Sequence, residues 1–585
     1  MTEVTAAPLK STKQTTATIS YQVAMSQPEN HLFEVTLHLE GYSSSILDLK
    51  MPVWTPGSYL VREYAKHLQD FSAISDDKAL TWRKVGKNYW QVDTNNVAKI
   101  TIKYRIFANE LTVRTNHLDA THAYFNGAAL FFRIPEFDRQ EIRVTIHTPH
   151  PQWQITTTLS AVEENTFVAA DFDTLVDSPF EIGSHQLYDF EVRSLPHQLA
   201  IWGKGNVQVE PMIEDIKRII EVEAQMFDGL PYEQYLFLLH LSAQSYGGLE
   251  HKNSCSLIYQ RFGFSDREKY ERFMQLVAHE FFHLWNVKRI RPKELEVFDY
   301  DQENYTPSLW FCEGTTSYYD LLIPLKAGIY NVKSYLNNLS KEITLYETTP
   351  GRKVQPVSES SFDAWIKLYR QDANSRNSQI SYYLKGEMIS LLLDLLIRDR
   401  HNNQRSLDDV MLKLWQQFGK NEVGYTADEL QQVIESVAGI DLTDFFQRFV
   451  HGTEDLPFNE YLQPFGLKLI ADKTNEPFLG IKVTSENARE SIKFVETDSP
   501  AQIAGIDAGD ELLAIDGIKI TANKLSERLK DYQPEDTIEI TVFHQDELRN
   551  YRVTLAEPRA NKYEVVPVKK PNAAQKEKFT KFLGV

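Results

Sequence analysis

A change of hydrophobic period divides this 585-residue chain. Up to about residue 190, apolar and polar side chains alternate, as in "HLFEVTLHLEG", "KITIKYRIFA" and "EIRVTIHTP". Successive side chains leave opposite faces of a strand, so alternation marks strands with one buried face. No long helical period interrupts these runs, and the first part reads as an all-β, sandwich-like domain. From about residue 210 the period turns helical. "PMIEDIKRIIEVEAQMF" places Ile213, Ile216, Ile219, Ile220 and Val222 on one helical side. A chain that switches period in this way folds as multidomain α+β, and its length suits roughly three to five domains of ~150 residues.

"YLFLLHLSA" (235–243) reads as a buried strand, a helix starts near Arg267, and another spans about Ser308 to Leu325. Residues 330–450 are mainly helical, and "HGTEDLPFNEYL" (451–462) gives a helix end, a turn and a short helix. Near Gly466 a second β-rich unit begins, with short strands, glycine turns and two short helices. The basic tail ends in an amphipathic helix, "AAQKEKFTKFLGV", while residues 1–17 are polar, threonine-rich and expected to be frayed. The expected domains are 1–190, 191–330, 331–465 and 466–560, followed by the tail 561–585.

A formal net charge of −19 disfavours nucleic acid and anionic membrane as partners. The richest apolar run, "ISLLLDLLI" (389–397), is short and carries Asp394, so no membrane span is expected. The start has no apolar signal region, and two cysteines in so long a chain suit a reducing compartment, so a cytoplasmic location is expected.

The strongest chemical signal is "VAHEFFHLWNVKRIRP" (277–292). Positions i and i+4 share a helix face, so His279 and His283 present two imidazoles to one point. A zinc ion asks this of its first two protein ligands. Glu280 is turned about 100° away, beside such an ion, where it can take a proton from attacking water. The bland alternative is a helix with two surface histidines. Against it, Val277, Ala278, Phe281, Phe282, Leu284 and Trp285 make this a buried helix, where paired imidazoles and a carboxylate need a partner to offset desolvation. A catalytic zinc site wants a third ligand and an open fourth position. Glu313 lies in the next apolar stretch, "LWFCEGTTSYYD", where a buried carboxylate calls for a cation. Zn2+ is therefore the expected cofactor. Trp285, Asn286, Arg289 and Arg291 read as packing and supporting groups, and Cys312 as an inert buried thiol.

These stretches resemble the M61 family of zinc peptidases, the glycyl aminopeptidase family, gluzincins related to the M1 aminopeptidases. "MPVWTPGSYLVREYAKH" (51–67) is similar to the family's N-terminal signature; "YGGLEHKNS" (246–254), "HGTEDLPFNEYL" and a late PDZ-like unit follow in the family's order. The resemblance implies a thermolysin-like catalytic domain followed by a helical domain. It implies His279, His283 and Glu313 as zinc ligands and Glu280 as general base. "GGLEH" stands where M1 enzymes carry G-x-M-E-N, which implies that Glu250 holds the substrate's free amine. Gly247 and Gly248 would let a substrate backbone come close. Leu249 and His251 depart from the M1 methionine and asparagine, which leaves exopeptidase preference open. "SYYLKGE" (381–387) resembles the M1 tyrosine motif and implies that Tyr383 stabilises the oxyanion. The alternatives are a core tyrosine at 383 and an ordinary strand-end acid at 250. "FLGI" (478–481) and "SPAQIAGIDAGDELLAIDG" (499–517) resemble a PDZ domain's carboxylate-binding loop and centre. That implies capture of a peptide C-terminus by strand addition, against the alternative of a packing module with a closed groove.

The expected protein is a zinc aminopeptidase acting on peptides, with a preference for N-terminal glycine or alanine implied by the family name alone. Two rivals stand beside it. One is an endopeptidase or oligopeptidase that selects substrates through the PDZ-like unit. The other is a peptide-binding adaptor with a non-catalytic zinc site, against which intact Glu280 and Tyr383 argue.

Overall fold

The computed structural model describes residues 17–473 and 475–584. All but the last residue of the stretch expected to be frayed, 1–17, lies outside them. Contacts divide the chain into two compact units. The first is Met1–Gly205 with Glu233–Arg261 and Asp299–Glu303; the second is Asn206–Tyr232, Phe262–Phe298 and Asn304–Val585. Residues 191–330 thus contribute to both.

In the first unit the alternating sequences form an eight-stranded sheet. Leu32–Glu40 pairs antiparallel with Thr18–Ala24 on one side and with Lys99–Phe107 on the other. Phe33, Val35, Leu37 and Leu39 are buried, and the residues between them are half-buried. A four-stranded sheet packs against this apolar face; Phe33 meets Phe125 edge-on at 5.5 Å, and Phe125 stacks on Phe180. The unit also holds a five-stranded sheet, ordered Gln186–Val192, Leu195–Trp202, Tyr235–Ser242, Ser254–Gln260, Gly247–Glu250. Its central strand, Tyr235–Ser242, is buried along its whole length and pairs in parallel on both sides. That explains why its sequence is apolar on both faces without alternation, His240 and Ser242 excepted.

Between the last two sheets lies a polar network. Glu181 accepts from His122 Nε2 at 2.6 Å and from His240 Nε2 at 2.7 Å, and all three are buried. Burial alone would raise the Glu181 carboxyl, but the two imidazoles hold it below the usual carboxylate range. Burial pushes His122, His185 and His117 below the ordinary imidazole value. The unfolded chain therefore binds protons that the folded one refuses, and stability falls as the pH drops below about 6.5. Each such histidine costs up to ~1.4 kcal/mol per pH unit in that window. Hydrogen exchange in the strands His122–Phe125 and Phe180–Gly183 should show protection declining from pH 7 to pH 5 beyond the intrinsic rate change. The decline should be shallower in His122→Gln. An equal slope in the variant would remove His122 from the acid response.

The second unit is built on helices, among them Val209–Met226, Arg267–Phe282, Thr315–Lys326, Val332–Glu347 and Tyr382–Arg400. The buried face of Val209–Met226 is Met212, Ile216, Ile219, Ile220, Glu223 and Ala224. This corrects the sequence-based face: Ile213 and Val222 are only half-buried, and a glutamate stands on the inner side. The PDZ-like sheet follows, and a ribbon of Leu467–Lys473 paired with Ala560–Pro567 flanks it in sequence. The C-terminal helix Ala573–Leu583 docks through Phe582, which meets Tyr335 and Phe465 edge-on. Among the described residues no helix is long and apolar enough to cross a membrane.

Candidate active site

The helix Arg267–Phe282 begins at Asp266, whose side chain accepts from Lys269 N, and buries Phe273, Met274, Val277, Ala278, Phe281 and Phe282. Burial of that stripe turns His279 and His283 to one side, with ring centroids 4.7 Å apart. His279 Nδ1 lies 2.8 Å from Asp320 Oδ2, and His283 Nδ1 lies 2.7 Å from the Asn286 carbonyl. A carbonyl oxygen only accepts, so His283 must carry its proton on Nδ1 and leave a lone pair on Nε2. The carboxylate of Asp320 asks the same of His279.

Both freed Nε2 atoms face one carboxylate oxygen. Glu313 Oε2 is 3.5 Å from His279 Nε2 and 3.2 Å from His283 Nε2. Zinc donors at ~2.0–2.1 Å in a tetrahedron lie about 3.3 Å from one another. The three residues therefore fit a zinc ion by donor chemistry and by spacing, and all three donor atoms lie within 4.8 Å of one another.

Glu313 is mounted on a π-helical turn, Trp310–Gly314, that precedes the helix Thr315–Lys326. The sequence suggested one unbroken helix here. The turn widens because the Asn286 amide donates to the carbonyls of Phe311 and Cys312, both at 3.0 Å. The helix Tyr382–Arg400 crosses the same turn at close range. A Cβ on Gly386 would fall 2.3 Å from the Trp310 carbonyl oxygen, so only glycine allows the crossing. Lys385 beside it donates to the Gly452 carbonyl at 3.0 Å, which ties "LKGE" to "HGTED".

That crossing sets Tyr383 over His279, with ring centroids 6.4 Å apart and planes 25° apart. Burial, with Glu313 nearby, pushes the Tyr383 phenol well above its ordinary value. It stays a neutral hydrogen-bond donor. Glu280 is buried next to His279. Asp320 and Asn286 carry the orientation of the two histidines, and sequence reading singled out neither as a partner of a particular ring. Glu223, fully buried, was also missed; burial pushes its carboxyl up, with the charge of His279 pulling back. Trp285 stacks on Phe227 at 4.3 Å, Arg289 donates to the carbonyls of Leu284 and Pro231, and Arg291 pairs with Glu422. Cys312 is buried and forms no disulfide.

The GGLEH stretch belongs to the first unit. Gly247, Gly248 and Glu250 lie on the edge strand Gly247–Glu250, and Arg114 donates to the Gly248 carbonyl at 2.8 Å. Glu250 is buried, and its Oε1 meets no hydrogen-bond partner among the described residues. Gly57 of "WTPGS" makes room for this carboxylate. A Cβ at Gly57 would fall 2.5 Å from both carboxylate oxygens, and its φ of +86° favours glycine. His251 turns to Asp177, which also accepts from Lys252 N at 2.7 Å. A second group of donor type, His122, Glu181 and His240, is also in this unit. Its 2.6 and 2.7 Å separations are those of direct hydrogen bonds and too short for ligands sharing one zinc.

A groove of about 680 Å³ runs between the loop Phe478–Ile481 and the helix Ala522–Leu529 of the PDZ-like unit, with Glu347, Arg352 and Lys353 of the helical region forming part of its wall. Phe478, Leu479, Ile481, Leu525, Leu529 and Arg559 line it. The strand Ile481–Glu486 is an edge of its sheet.

Three family models match this chain: the Peptidase M61 N-terminal domain over residues 20–184, the M61 glycyl aminopeptidase over 272–389, and a PDZ domain over 477–555. Among solved structures, an aminopeptidase N family protein from Idiomarina loihiensis is 31% identical, with a TM-score of 0.91 over 97% of this chain and 100% of that one. An M1 zinc metallopeptidase from Deinococcus radiodurans is 11% identical, with a TM-score of 0.47 over 75% of this chain and 94% of that one. No curated protein matches.

Proposed function

Since this chain belongs to the M61 family of metallopeptidases, of aminopeptidase type, we propose that it removes small N-terminal residues, glycine or alanine, from peptides with one zinc ion held by His279, His283 and Glu313. The observation that carries this reading is the pair of imidazoles fixed through Nδ1, with both Nε2 atoms facing one buried carboxylate oxygen. Zinc, when bound there, supplies Lewis acidity to the scissile carbonyl and to the attacking water. Glu280 takes the proton of that water on its carboxylate and delivers it to the leaving amine. Tyr383 donates its phenolic proton in a hydrogen bond to the carbonyl oxygen as charge builds there. Glu250 holds the substrate's α-ammonium, and its unpartnered Oε1 supports that role, because a buried carboxylate oxygen without a donor favours a cation. Gly247 and Gly248 offer backbone to the substrate chain at the strand edge.

We expect about one zinc per chain in protein purified without chelator. Glu313→Ala should lower that content sharply, since it removes one of three protein donors. Zinc-free wild-type protein, or full zinc retention in Glu313→Ala, would contradict the assignment.

The PDZ-like groove is proposed to take a peptide C-terminus, added as a strand to the edge Ile481–Glu486 with an apolar side chain toward Leu525 and Leu529. A fluorescent peptide ending in a free carboxylate should bind, and its C-terminal amide should not. A cytoplasmic location accords with Cys255 and Cys312, both buried and neither in a disulfide.

A further inference from the structure

Three tyrosine hydroxyls meet beside the candidate metal centre. Tyr369 Oη lies 3.0 Å from Tyr383 Oη and 3.2 Å from Tyr382 Oη. Tyr382 and Tyr383 are neighbours at the start of the helix Tyr382–Arg400, with stacked rings 4.6 Å apart. Tyr369 comes from elsewhere, the irregular segment before residue 375. That segment is fixed at both ends. Trp365, fully buried, donates through its indole to the Asn304 carbonyl at 3.3 Å. At the other end Asn377 donates to the Val495 carbonyl at 2.9 Å and accepts from Thr497 N at 3.0 Å.

A hydroxyl offers one proton and two acceptor sites. If Tyr383 is to give its proton to a substrate oxygen, it cannot also give it to Tyr369. Tyr369 must then be the donor in the 3.0 Å contact. With Tyr369 donating to Tyr383, the Tyr383 proton is left for an acceptor other than Tyr369. Hydrogen bonds aligned head to tail polarise one another, so the terminal donor is both oriented and strengthened. We propose that Tyr369 is a positioning residue for the reaction, donating to the Tyr383 hydroxyl and so committing the Tyr383 proton to the developing oxyanion. This rests on the reading of Tyr383 given above. Tyr369 touches neither substrate nor metal in this role.

The test is a double-mutant cycle on the full zinc-loaded chain, with an alanine amide as substrate and zinc content measured for each protein. Tyr369→Phe should lower kcat by about 3- to 10-fold, the weight of one neutral hydrogen bond, and leave KM within about 2-fold. In the Tyr383→Phe background the same substitution should cost nothing further, because the group it positions is gone. An undiminished kcat in Tyr369→Phe, with Tyr383→Phe impaired, would overturn the proposal alone. So would an equal loss in both backgrounds, since that marks a general structural effect, as would a loss tracked by falling zinc. Full activity in Tyr383→Phe would overturn the underlying reading together with the proposal.

Discussion

Glu280→Gln will keep its zinc and lose at least ~10²-fold in turnover, the usual weight of a positioned general base. The amide has the size and shape of the carboxylate but cannot accept the proton of the attacking water. The donor set His279, His283 and Glu313 does not include residue 280, so metal content separates this effect from a damaged site. The helix carrying the substitution is held by its buried apolar stripe and by the Asp266 cap. Zinc assay and single-turnover kinetics on the same preparation check the result. Near-normal turnover would remove Glu280 from the mechanism, and loss of zinc would make it a structural member of the site.

The second large effect is selective. Glu250→Ala should damage cleavage of free-amine substrates far more than of N-acetylated ones, because the ion pair exists only with the free amine. A hydrogen bond to a charged group is worth ~1.5–3 kcal/mol, so the selective loss in kcat/KM should be roughly 10- to 200-fold. Zinc content should not change. The Gly57 contact makes the same point from the other side of the carboxylate: a methyl group there would meet both oxygens at 2.5 Å, so Gly57→Ala should also impair the free-amine substrate. Equal losses on both substrate types would assign Glu250 a structural role.

The strands of the first unit were legible because burial of one face leaves a period of two, and Phe33, Val35, Leu37 and Leu39 follow it. The parallel strand Tyr235–Ser242 was legible as a buried strand from its apolar content on both faces. The inner face of Val209–Met226 was misread because apolarity was the guide: Glu223 sits inside, and Ile213 and Val222 are only half-buried. Spacing alone put His279 and His283 on one helix face. It could not say which groups turn the rings, since Asp320 and the Asn286 carbonyl reach them through the tertiary fold. Asp320 stood in view seven residues after Glu313, two turns along the helical direction, without a pattern to mark it. Tyr369 had no signal at all. It lies in an irregular segment, and its meeting with Tyr383 depends on anchors at Asn304 and Val495 that are remote in sequence. The π-helical turn at Glu313 was hidden for the same reason, because side-chain competition for two backbone carbonyls comes from Asn286.

The most direct measurement is the hydrolysis of alanine amide and glycine amide against their N-acetylated forms by the zinc-replete full chain. We expect the free-amine substrates to be cleaved with a kcat/KM at least ~10-fold above the acetylated ones, as one charge-assisted contact requires, and the activity to disappear with the zinc. Equal or faster cleavage of the acetylated substrates would contradict aminopeptidase action and leave an endopeptidase in its place.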